Sequence, residues 1–262
     1  NVPQAIELYP DNIEIYGNYF ENFNSCITSW LGNDTVTNVI IHHNVFRGHG
    51  TSMAIKLTMG GGSYNKPENH TVYQNFQIYN NIFDNLGSAI RNDHGQANDF
   101  LIKNNVFMNC KDFAWRHDSE EDAINIQFDT NLFFECNLQN DNSATFTNNF
   151  ENLQPGLKLA GEKPGEYYFP SSAESAVVDA GTDLAEFTIG YAGNAPDLGA
   201  FELNGTIPGR LLAPVFNLYS GIKYTGKQTL EIKNYNQTGT VYYTTDGTTP
   251  SRETGQEYSE PI

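Results

Sequence analysis

The sequence predicts an all-β protein: stacked coils of parallel strands over most of the chain, followed by a small β-sandwich. An asparagine recurs six times within the first 150 residues, at intervals of 18 to 37 residues. Around these asparagines apolar and polar residues alternate with a period of two, the pattern of a strand with one buried face. A repeat of about 25 residues stacks each strand on its counterpart one coil later. Near the C-terminus, a second alternating run that ends at Asp246-Gly247 predicts the sandwich.

The recurring asparagine sets the register of the coils. Apolar residues stand five and three positions before it, and in the first five repeats a phenylalanine stands two positions after it. Asparagine is usually a turn residue at the surface. Stacked in register, however, it can occupy a tight bend and hydrogen-bond to the asparagines above and below, as in cross-β stacks. The six asparagines are Asn18, Asn44, Asn81, Asn105, Asn131 and Asn149.

This asparagine-centred motif resembles the repeats of the right-handed parallel β-helix of the pectate-lyase-like superfamily. The resemblance covers residues 1–155 and implies three strands in each coil. It says much less about activity, since one scaffold hosts many reactions. Because the chain opens inside a repeat, we expect a fragment that lacks N-terminal coils.

The first strands of successive coils can be aligned on their apolar residues. If the second residue of each strand points inward, its third and fifth residues point outward. The aligned strands are Ala5–Tyr9, Cys26–Trp30, Ala54–Thr58, Ala89–Asp93 and Ala114–Asp118. Their third residues form one outward column: Glu7, Thr28, Lys56, Arg91 and Arg116. Their fifth residues form a neighbouring column: Tyr9, Trp30, Thr58, Asp93 and Asp118.

Three cations fall next to one another in the first of these columns. Lys56, Arg91 and Arg116 would lie on rungs about 4.8 Å apart. Such a ladder of like charges is unfavourable unless carboxylates or a bound anion compensate it. Asp93 and Asp118 supply part of this compensation, and an acidic polymer would supply the rest. The alternative is an Arg/Asp lattice that only solvates the sheet, because exposed ion pairs contribute little.

Aromatic and titratable residues close to this ladder in sequence are predicted to bind substrate. The interval between Asn44 and Asn81 is the longest, and its excess falls in residues 59–70, directly after the Lys56 strand. Long loops on a rigid scaffold often carry function, although a tolerated insertion is the alternative. The predicted substrate-binding residues are Trp30, Tyr64, Lys66, His94 and His117.

The first chemistry that fits these residues is β-elimination on a uronic-acid polymer. A base removes the proton at C5, a cation neutralises the carboxylate, and an acid protonates the leaving oxygen. Lys56 suits the base, because neighbouring cations favour its neutral form. Arg91 or Arg116 would hold the carboxylate with two parallel hydrogen bonds.

Lys56 on one coil and Arg91-Asn92-Asp93-His94-Gly95 on the next resemble, loosely, the alginate-lyase and chondroitinase-B-like polysaccharide lyases. That family carries a lysine on one coil and an arginine in a short Arg-His-Gly-like stretch on the next. The resemblance implies the roles of Lys56 and Arg91, and it makes Ca²⁺ the one candidate cofactor. The family's acidic calcium ligands have no counterpart in Gly50-Thr51-Ser52-Met53, so no metal ligand is assigned.

Two other functions remain open. Asp93 and Asp118 on adjacent rungs would suit a glycoside hydrolase, whose retaining carboxylate pair is roughly 5–5.5 Å apart and whose inverting pair is about 6.5–9.5 Å apart. Two stacked carboxylates would also favour protonation of one, as an acid catalyst requires. The third reading is a non-catalytic glycan-binding or cell-surface β-helix, which the missing calcium ligands favour.

Composition limits the partners. The net charge of −17 disfavours nucleic acid and anionic membranes. No run of about 18 apolar residues is present, so no segment is predicted to span a membrane. We therefore expect a monomer whose partner is an acidic polysaccharide.

The segment 156–206 is predicted to close the β-helix. Val177–Thr182 followed by Pro196–Glu202 resembles the closing segment of many secreted bacterial β-helix proteins. We expect it to cover the last coil, whose open strand edge would otherwise invite aggregation. The resemblance implies a bacterial protein that is secreted, periplasmic or on the outer cell surface.

Residues 207–262 are predicted to form a separate module after the linker Gly205–Gly209. Ala213–Phe216 and Val241–Ser251 resemble the small β-sandwich called the chitobiase/β-hexosaminidase C-terminal domain. We expect this module to be incomplete, without its last strand. The resemblance implies an accessory of secreted carbohydrate-active enzymes.

Overall fold

The fold is almost entirely β. A computed structural model describes residues 4–9, 11–29, 34–58, 71–159, 167–203, 214–218, 223–234 and 240–262. Within these ranges the helical structure is one 3₁₀ turn at Ala185–Phe187. None of the described residues form a helix with the length and apolarity that a membrane span requires.

Sixteen strands form the N-terminal part of the described chain. The first eight are β1 (Ile6–Glu7), β2 (Ile13–Tyr16), β3 (Tyr19–Glu21), β4 (Ser25–Ser29), β5 (Thr35–His42), β6 (Val45–Arg47), β7 (Met53–Leu57) and β8 (Val72–Tyr79). The next eight are β9 (Ile82–Asp84), β10 (Ser88–Asn92), β11 (Gln96–Lys103), β12 (Val106–His117), β13 (Ala123–Asp129), β14 (Leu132–Gln139), β15 (Ala144–Thr147) and β16 (Phe150–Glu151).

These strands pair in parallel with their counterparts in neighbouring coils and build a parallel β-helix, as predicted. The second-strand face is a six-stranded sheet in the order β15-β13-β11-β8-β5-β2. The first-strand face contains β1, β4, β7, β10 and the end of β12, and the third-strand face contains β3, β6, β9, the start of β12, β14 and β16. Strand β12 belongs to both of these faces, and its register against β14 shifts between Cys110 and Phe113.

The predicted amide ladder is present along the coils. In the central coil, the backbone N–H and the side-chain amide of Asn81 donate to Asn105 Oδ1, at 2.8 and 3.0 Å. The same amide nitrogen donates to the carbonyls of Tyr79 in its own coil and Ile41 in the coil before. Asn18, Asn44, Asn105 and Asn131 repeat the pair of bonds to the next asparagine. The ladder therefore satisfies buried backbone groups at every bend.

The apolar positions of the repeat form the core. The phenylalanines two positions after the asparagines stack face to face, with centroids 4.7–5.2 Å apart and planes 3–13° apart. Glu151 takes the next position of this column, at the coil where the stack ends. The stacked rings are Phe20, Phe46, Phe83, Phe107 and Phe133.

A second polar column was not anticipated. The residues six positions before the ladder asparagines have left-handed backbones, with φ between 56° and 60°. Asparagine and aspartate tolerate this conformation better than other non-glycine residues. Neighbouring members hydrogen-bond at the surface, as between Asn75 Nδ2 and Asn38 Oδ1 at 2.7 Å. The column consists of Asn12, Asn38, Asn75, Asp99 and Asn125.

The described part of the closing segment packs along the side of the coils. Val177, Leu198 and Ala200 pack on the outward apolar residues of the third-strand face. The Gly199 N–H donates to the carbonyl of Asn104 at 2.8 Å. The asparagine frame puts an apolar residue one position after five of the asparagines, and the segment buries the first four of these as an outer stripe. The stripe is Val45, Ile82, Val106 and Leu132.

The C-terminal part contains two short antiparallel strand pairs. Strand β17 (Val215–Phe216) pairs with β18 (Ile232–Lys233), and β19 (Tyr242–Tyr243) pairs with β20 (Gln256–Glu257). The predicted turn at Asp246-Gly247 is confirmed: Asp246 Oδ1 accepts from the N–H of Thr248 at 3.0 Å, and Gly247 has φ of 82°. The predicted linker Gly205–Gly209 lies outside the described residues.

Candidate functional site

The candidate site lies on the first-strand face, where β7, β10 and β12 run side by side. Each strand places its second aligned residue in the core, and Ile55, Ile90 and Trp115 are fully buried there. The strand pleat therefore turns the next residue of each strand outward.

The predicted column of cations is formed in register. Arg91 pairs with Lys56 on one side and with Arg116 on the other. The side chains keep 24%, 28% and 30% of their surface exposed, for Lys56, Arg91 and Arg116 respectively. These half-buried cations are accessible to a ligand on the outside of the coil.

Carboxylates compensate this column, as the sequence predicts. Asp93 Oδ2 lies 3.2 Å from Lys56 Nζ, and its other oxygen accepts from Arg91 Nε. Asp118 Oδ2 lies 3.2 Å from Arg91 Nη2 and 2.7 Å from Arg116 Nε. The guanidinium of Arg91 is thus held between two carboxylates from its own rung and the next.

Asp112 completes the network and was missed by the sequence analysis. Its Oδ2 lies 3.4 Å from Arg116 Nη1. It lies within the register shift of β12 and stands outside the aligned five-residue strands, so the column alignment did not include it. We call the six residues the charge ladder: Lys56, Asp93, Arg91, Asp118, Arg116 and Asp112.

The charge ladder contains three cations and three anions, so it is locally neutral on a chain of net charge −17. The hydrogen bond to Asp118, together with the nearby Asp118, Asp112 and Asp93 charges, raises the pKa of Arg116 and outweighs the opposing effect of burial. The guanidinium therefore remains charged throughout the physiological range.

His117 is held by the protein. Its Nδ1 lies 3.3 Å from the amide nitrogen of the fully buried Asn92, and its Nε2 lies 3.0 Å from the carbonyl of Glu121. Its ring also stacks on Trp115, with centroids 6.0 Å apart. An amide donor on Nδ1 and a carbonyl acceptor on Nε2 fix one neutral tautomer. A substrate therefore finds both ring nitrogens already engaged.

Of the other predicted substrate contacts, the structure describes His94. His94 is half-buried in the turn between β10 and β11. Trp30, Tyr64 and Lys66 lie outside the described residues, as does the loop 59–70.

Two residues of the outward columns are buried, although the alternation predicts that they are exposed. Thr28 is 1% exposed, and its hydroxyl donates to Gln4 Oε1 at 3.1 Å. Thr58 is 2% exposed, and its carbonyl accepts from the hydroxyl of Tyr73 at 2.9 Å. The outward positions of β4 and β7 are therefore partly closed by neighbouring side chains.

The site residues do not fit a calcium ion. In the described part of the chain, no group of three or more His, Cys, Asp or Glu side chains is arranged to hold a metal. The acidic turn after β12 is occupied by its own hydrogen bonds, with Ser119 Oγ donating to the carbonyl of Gly95 and accepting from the N–H of Glu121. No step proposed below uses a metal.

Comparison with known proteins identifies the C-terminal module. Residues 218–262 match the family model of the chitobiase/beta-hexosaminidase C-terminal domain. No curated protein and no solved structure matches the chain. The family match is therefore confined to a carbohydrate-related module that follows the β-helix.

Proposed function

We propose that this is a secreted bacterial carbohydrate-active protein that binds a uronic-acid polymer on its charge ladder and cleaves it by β-elimination. One observation carries the proposal: Lys56, Arg91 and Arg116 stack on adjacent rungs of one face, on a chain that is otherwise strongly acidic. The carbohydrate-related module at residues 218–262 supports the same class of substrate.

The aspartates of the ladder hold the cations in place before substrate arrives. Asp93 and Asp118 each contact two cations, so the three side chains are fixed relative to one another. Preorganised cations lose little conformational entropy when a carboxylate binds. Arg116 is the most exposed of the three and contacts its aspartates through Nε and Nη1, so its Nη2 suits an incoming uronate.

In the proposed reaction, Arg91 or Arg116 neutralises the uronate carboxylate, which makes the C5 proton easier to remove. Lys56 is the proposed base. It is paired with Asp93, so this role requires the pair to open and the ammonium group to release a proton to water before the amine takes the C5 proton. The electron pair left at C5 then forms the C4–C5 double bond as the bond from C4 to the leaving oxygen breaks. An acid returns a proton to that oxygen.

Elimination fits the ladder better than hydrolysis. A glycoside hydrolase needs one carboxyl group protonated at the start of the reaction. Here Arg91 contacts the carboxylates of both Asp93 and Asp118, so both side chains are committed to ion pairs within the ladder. This arrangement disfavours the two aspartates as an acid and nucleophile pair.

Binding without cleavage is the second candidate function. The observation that favours it is the complete pairing of the ladder, in which each cation already contacts at least one aspartate. A saturated lattice of this kind can bind a polymer through its remaining donors without supplying a base.

Incubation with an acidic-polysaccharide panel separates these functions. The panel contains alginate, polygalacturonate and chondroitin, with a neutral glucan as control. We expect new ultraviolet absorbance from an unsaturated uronide with at least one acidic polymer. New reducing ends without that absorbance would indicate a hydrolase, and retention on the polymer without cleavage would indicate a binder. Either result contradicts the proposed elimination.

A further inference from the structure

A polar cavity of about 280 Å³ lies between the third-strand face and the closing segment. The charge ladder is on the first-strand face and contributes none of the lining residues. The cavity is lined by Arg47, Asp84, Asn85, Asn109, Leu159 and Tyr168.

The repeat itself builds one wall of this cavity. Arg47 and Asp84 are paired in register at the ends of β6 and β9. Asn85 and Asn109 follow at the bends of adjacent coils, both with a left-handed backbone of φ 55°. Two adjacent positions of successive coils therefore present a cation, a carboxylate and two amides along one edge.

The closing segment supplies the opposite wall. Tyr168 is 1% exposed, and its hydroxyl donates to Asp84 Oδ2 at 2.5 Å. Burial and the adjacent Asp84 carboxylate raise the pKa of this phenol, so it stays protonated as the donor. Leu159 stands half exposed at the same cavity and adds an apolar surface.

The lining mixes donors and acceptors in a nearly closed network. Asp84 is 7% exposed, and its Oδ1 accepts from Asn109 Nδ2 at 2.6 Å. Asn85 Nδ2 donates to the carbonyl of Gly48 at 3.1 Å. In the described part of the chain, the amide oxygens of Asn85 and Asn109 accept no hydrogen bond. These two oxygens and the second lone pairs of Asp84 remain for a ligand.

We propose that this cavity binds one neutral sugar ring. Sugar hydroxyls both donate and accept, which matches a lining of carboxylate, amide and guanidinium groups. The pyranose also has an apolar face that can pack on Leu159. A volume of about 280 Å³ is near the lower end of the roughly 300–1,000 Å³ of ligand sites and suits a single ring.

The charges favour a neutral ring over a uronate. The guanidinium of Arg47 is already paired with Glu21, and the cavity wall carries the carboxylate of Asp84. A uronate carboxylate would face Asp84 without an uncommitted cation. The site is therefore independent of the charge ladder and has the opposite ligand preference.

Calorimetric titration of the full chain tests this site with glucose, galactose, mannose, N-acetylglucosamine and glucuronate as probes. We expect saturable binding of at least one neutral sugar and at least tenfold weaker binding of glucuronate. Absence of saturable binding for every neutral sugar would overturn the proposal. Preference for glucuronate would overturn it as well.

Glycine substitutions locate the binding. Asn85→Gly and Asn109→Gly each remove an amide while keeping a residue that adopts the left-handed backbone. Each substitution is expected to weaken binding of the neutral sugar at least tenfold. Asn125→Gly makes the same change at φ 57° on the second-strand face, so it should bind like the wild type. Wild-type affinity in both Asn85→Gly and Asn109→Gly would contradict the site.

Two further variants distinguish loss of the site from loss of folding, and sugar binding in the cavity from sugar binding at the charge ladder. Leu159→Trp fills the cavity from a half-exposed position and should abolish binding while leaving the melting temperature near that of the wild type. Lys56→Met changes the charge ladder and should leave neutral-sugar binding unchanged. Loss of binding in Lys56→Met would assign the sugar to the ladder and overturn the separate site.

Discussion

Two columns of stacked polar side chains run along this β-helix, and they differ in how neighbouring rungs pair with one another. The asparagine ladder uses one residue type at every rung, because a carboxamide donates and accepts and so pairs with a copy of itself. The charge ladder cannot do this, since three stacked cations repel one another. It therefore alternates Lys56, Arg91 and Arg116 with aspartates.

The difference indicates which column stabilises the fold and which is available to bind ligands. Asn44, Asn81, Asn105 and Asn131 are fully buried, and each satisfies backbone groups of two coils. The side chains of the charge ladder are partly exposed and pair with one another. Substitutions should accordingly cost stability in the first column and function in the second.

The largest effect is expected from Asn105→Ala. The change removes the acceptor of two donors from Asn81 and the donor to the carbonyls of Ile78 and Lys103. Unsatisfied buried groups cost about 1–3 kcal/mol each, so we expect the free energy of unfolding to fall by about 3 kcal/mol. Urea denaturation measures it.

Asn125→Gly is the matched control for this prediction. It removes an exposed amide that donates to Asp99 at 2.7 Å. We expect a loss below about 1 kcal/mol, as for most surface changes. Equal losses in the two variants would contradict the distinction between the buried and exposed columns.

Glu202 is a buried carboxyl group that forms no ion pair with a cation among the described residues. Burial and the neighbouring Asp197 raise its pKa from 4.5 to about 7. The folded state then binds more protons than the unfolded state between these values, so stability falls as pH rises through this window, by on the order of 2 kcal/mol. Glu202→Gln should flatten this fall in thermal melts recorded from pH 4.5 to pH 8.

The exposed Glu174 provides the comparison for Glu202. A hydrogen bond from Ser172 lowers its pKa, so its contribution has the opposite sign. Glu174→Gln should keep the fall in stability with rising pH. If Glu202→Gln keeps the full fall too, the buried carboxylate is not its cause.

A smaller effect on stability is expected from Asp93→Ala. The change leaves Lys56 and Arg91 as adjacent like charges. For half-exposed groups we expect a loss of about 1 kcal/mol at low salt, which shrinks as salt screens the repulsion. Urea denaturation at low and high salt measures the loss of stability and its dependence on salt.

Glu21→Ala is the control, because its partner Arg47 has a carboxylate, Asp84, on the next rung. We expect little salt dependence in this variant. A salt-independent loss in Asp93→Ala would mean that repulsion along the ladder is unimportant.

The sequence predicts the ladders well because both follow from the period. Once the first strands are aligned on their buried residues Ile55, Ile90 and Trp115, the register of Arg91 against Lys56 and Arg116 follows. The alternation then predicts which side chains point outward and that Asp93 and Asp118 lie beside the cations.

The period predicts nothing about contacts between segments that do not share it. The hydrogen bond between Tyr168 and Asp84 joins residues 84 positions apart, and no repeat relates them. The lateral packing of the closing segment and the cavity beside Asp84 also depend on contacts between segments that no repeat relates. The one signal available was the apolar residue directly after Asn44, Asn81 and Asn105, which marks an outer stripe that some segment must cover.

The central claim is that the charge ladder acts on an acidic polysaccharide, and a pair of lysine variants tests it most directly. Lys56 and Lys103 are both half-buried and paired with an aspartate, at 3.2 and 2.8 Å, but Lys103 lies on the second-strand face. The measurement is the rate of unsaturated-uronide formation by the wild type, Lys56→Met and Lys103→Met. We expect a loss of at least 100-fold in Lys56→Met, in the range for a general base, and a wild-type rate in Lys103→Met. Equal rates in the two variants, or no unsaturated product from the wild type, would contradict the claim.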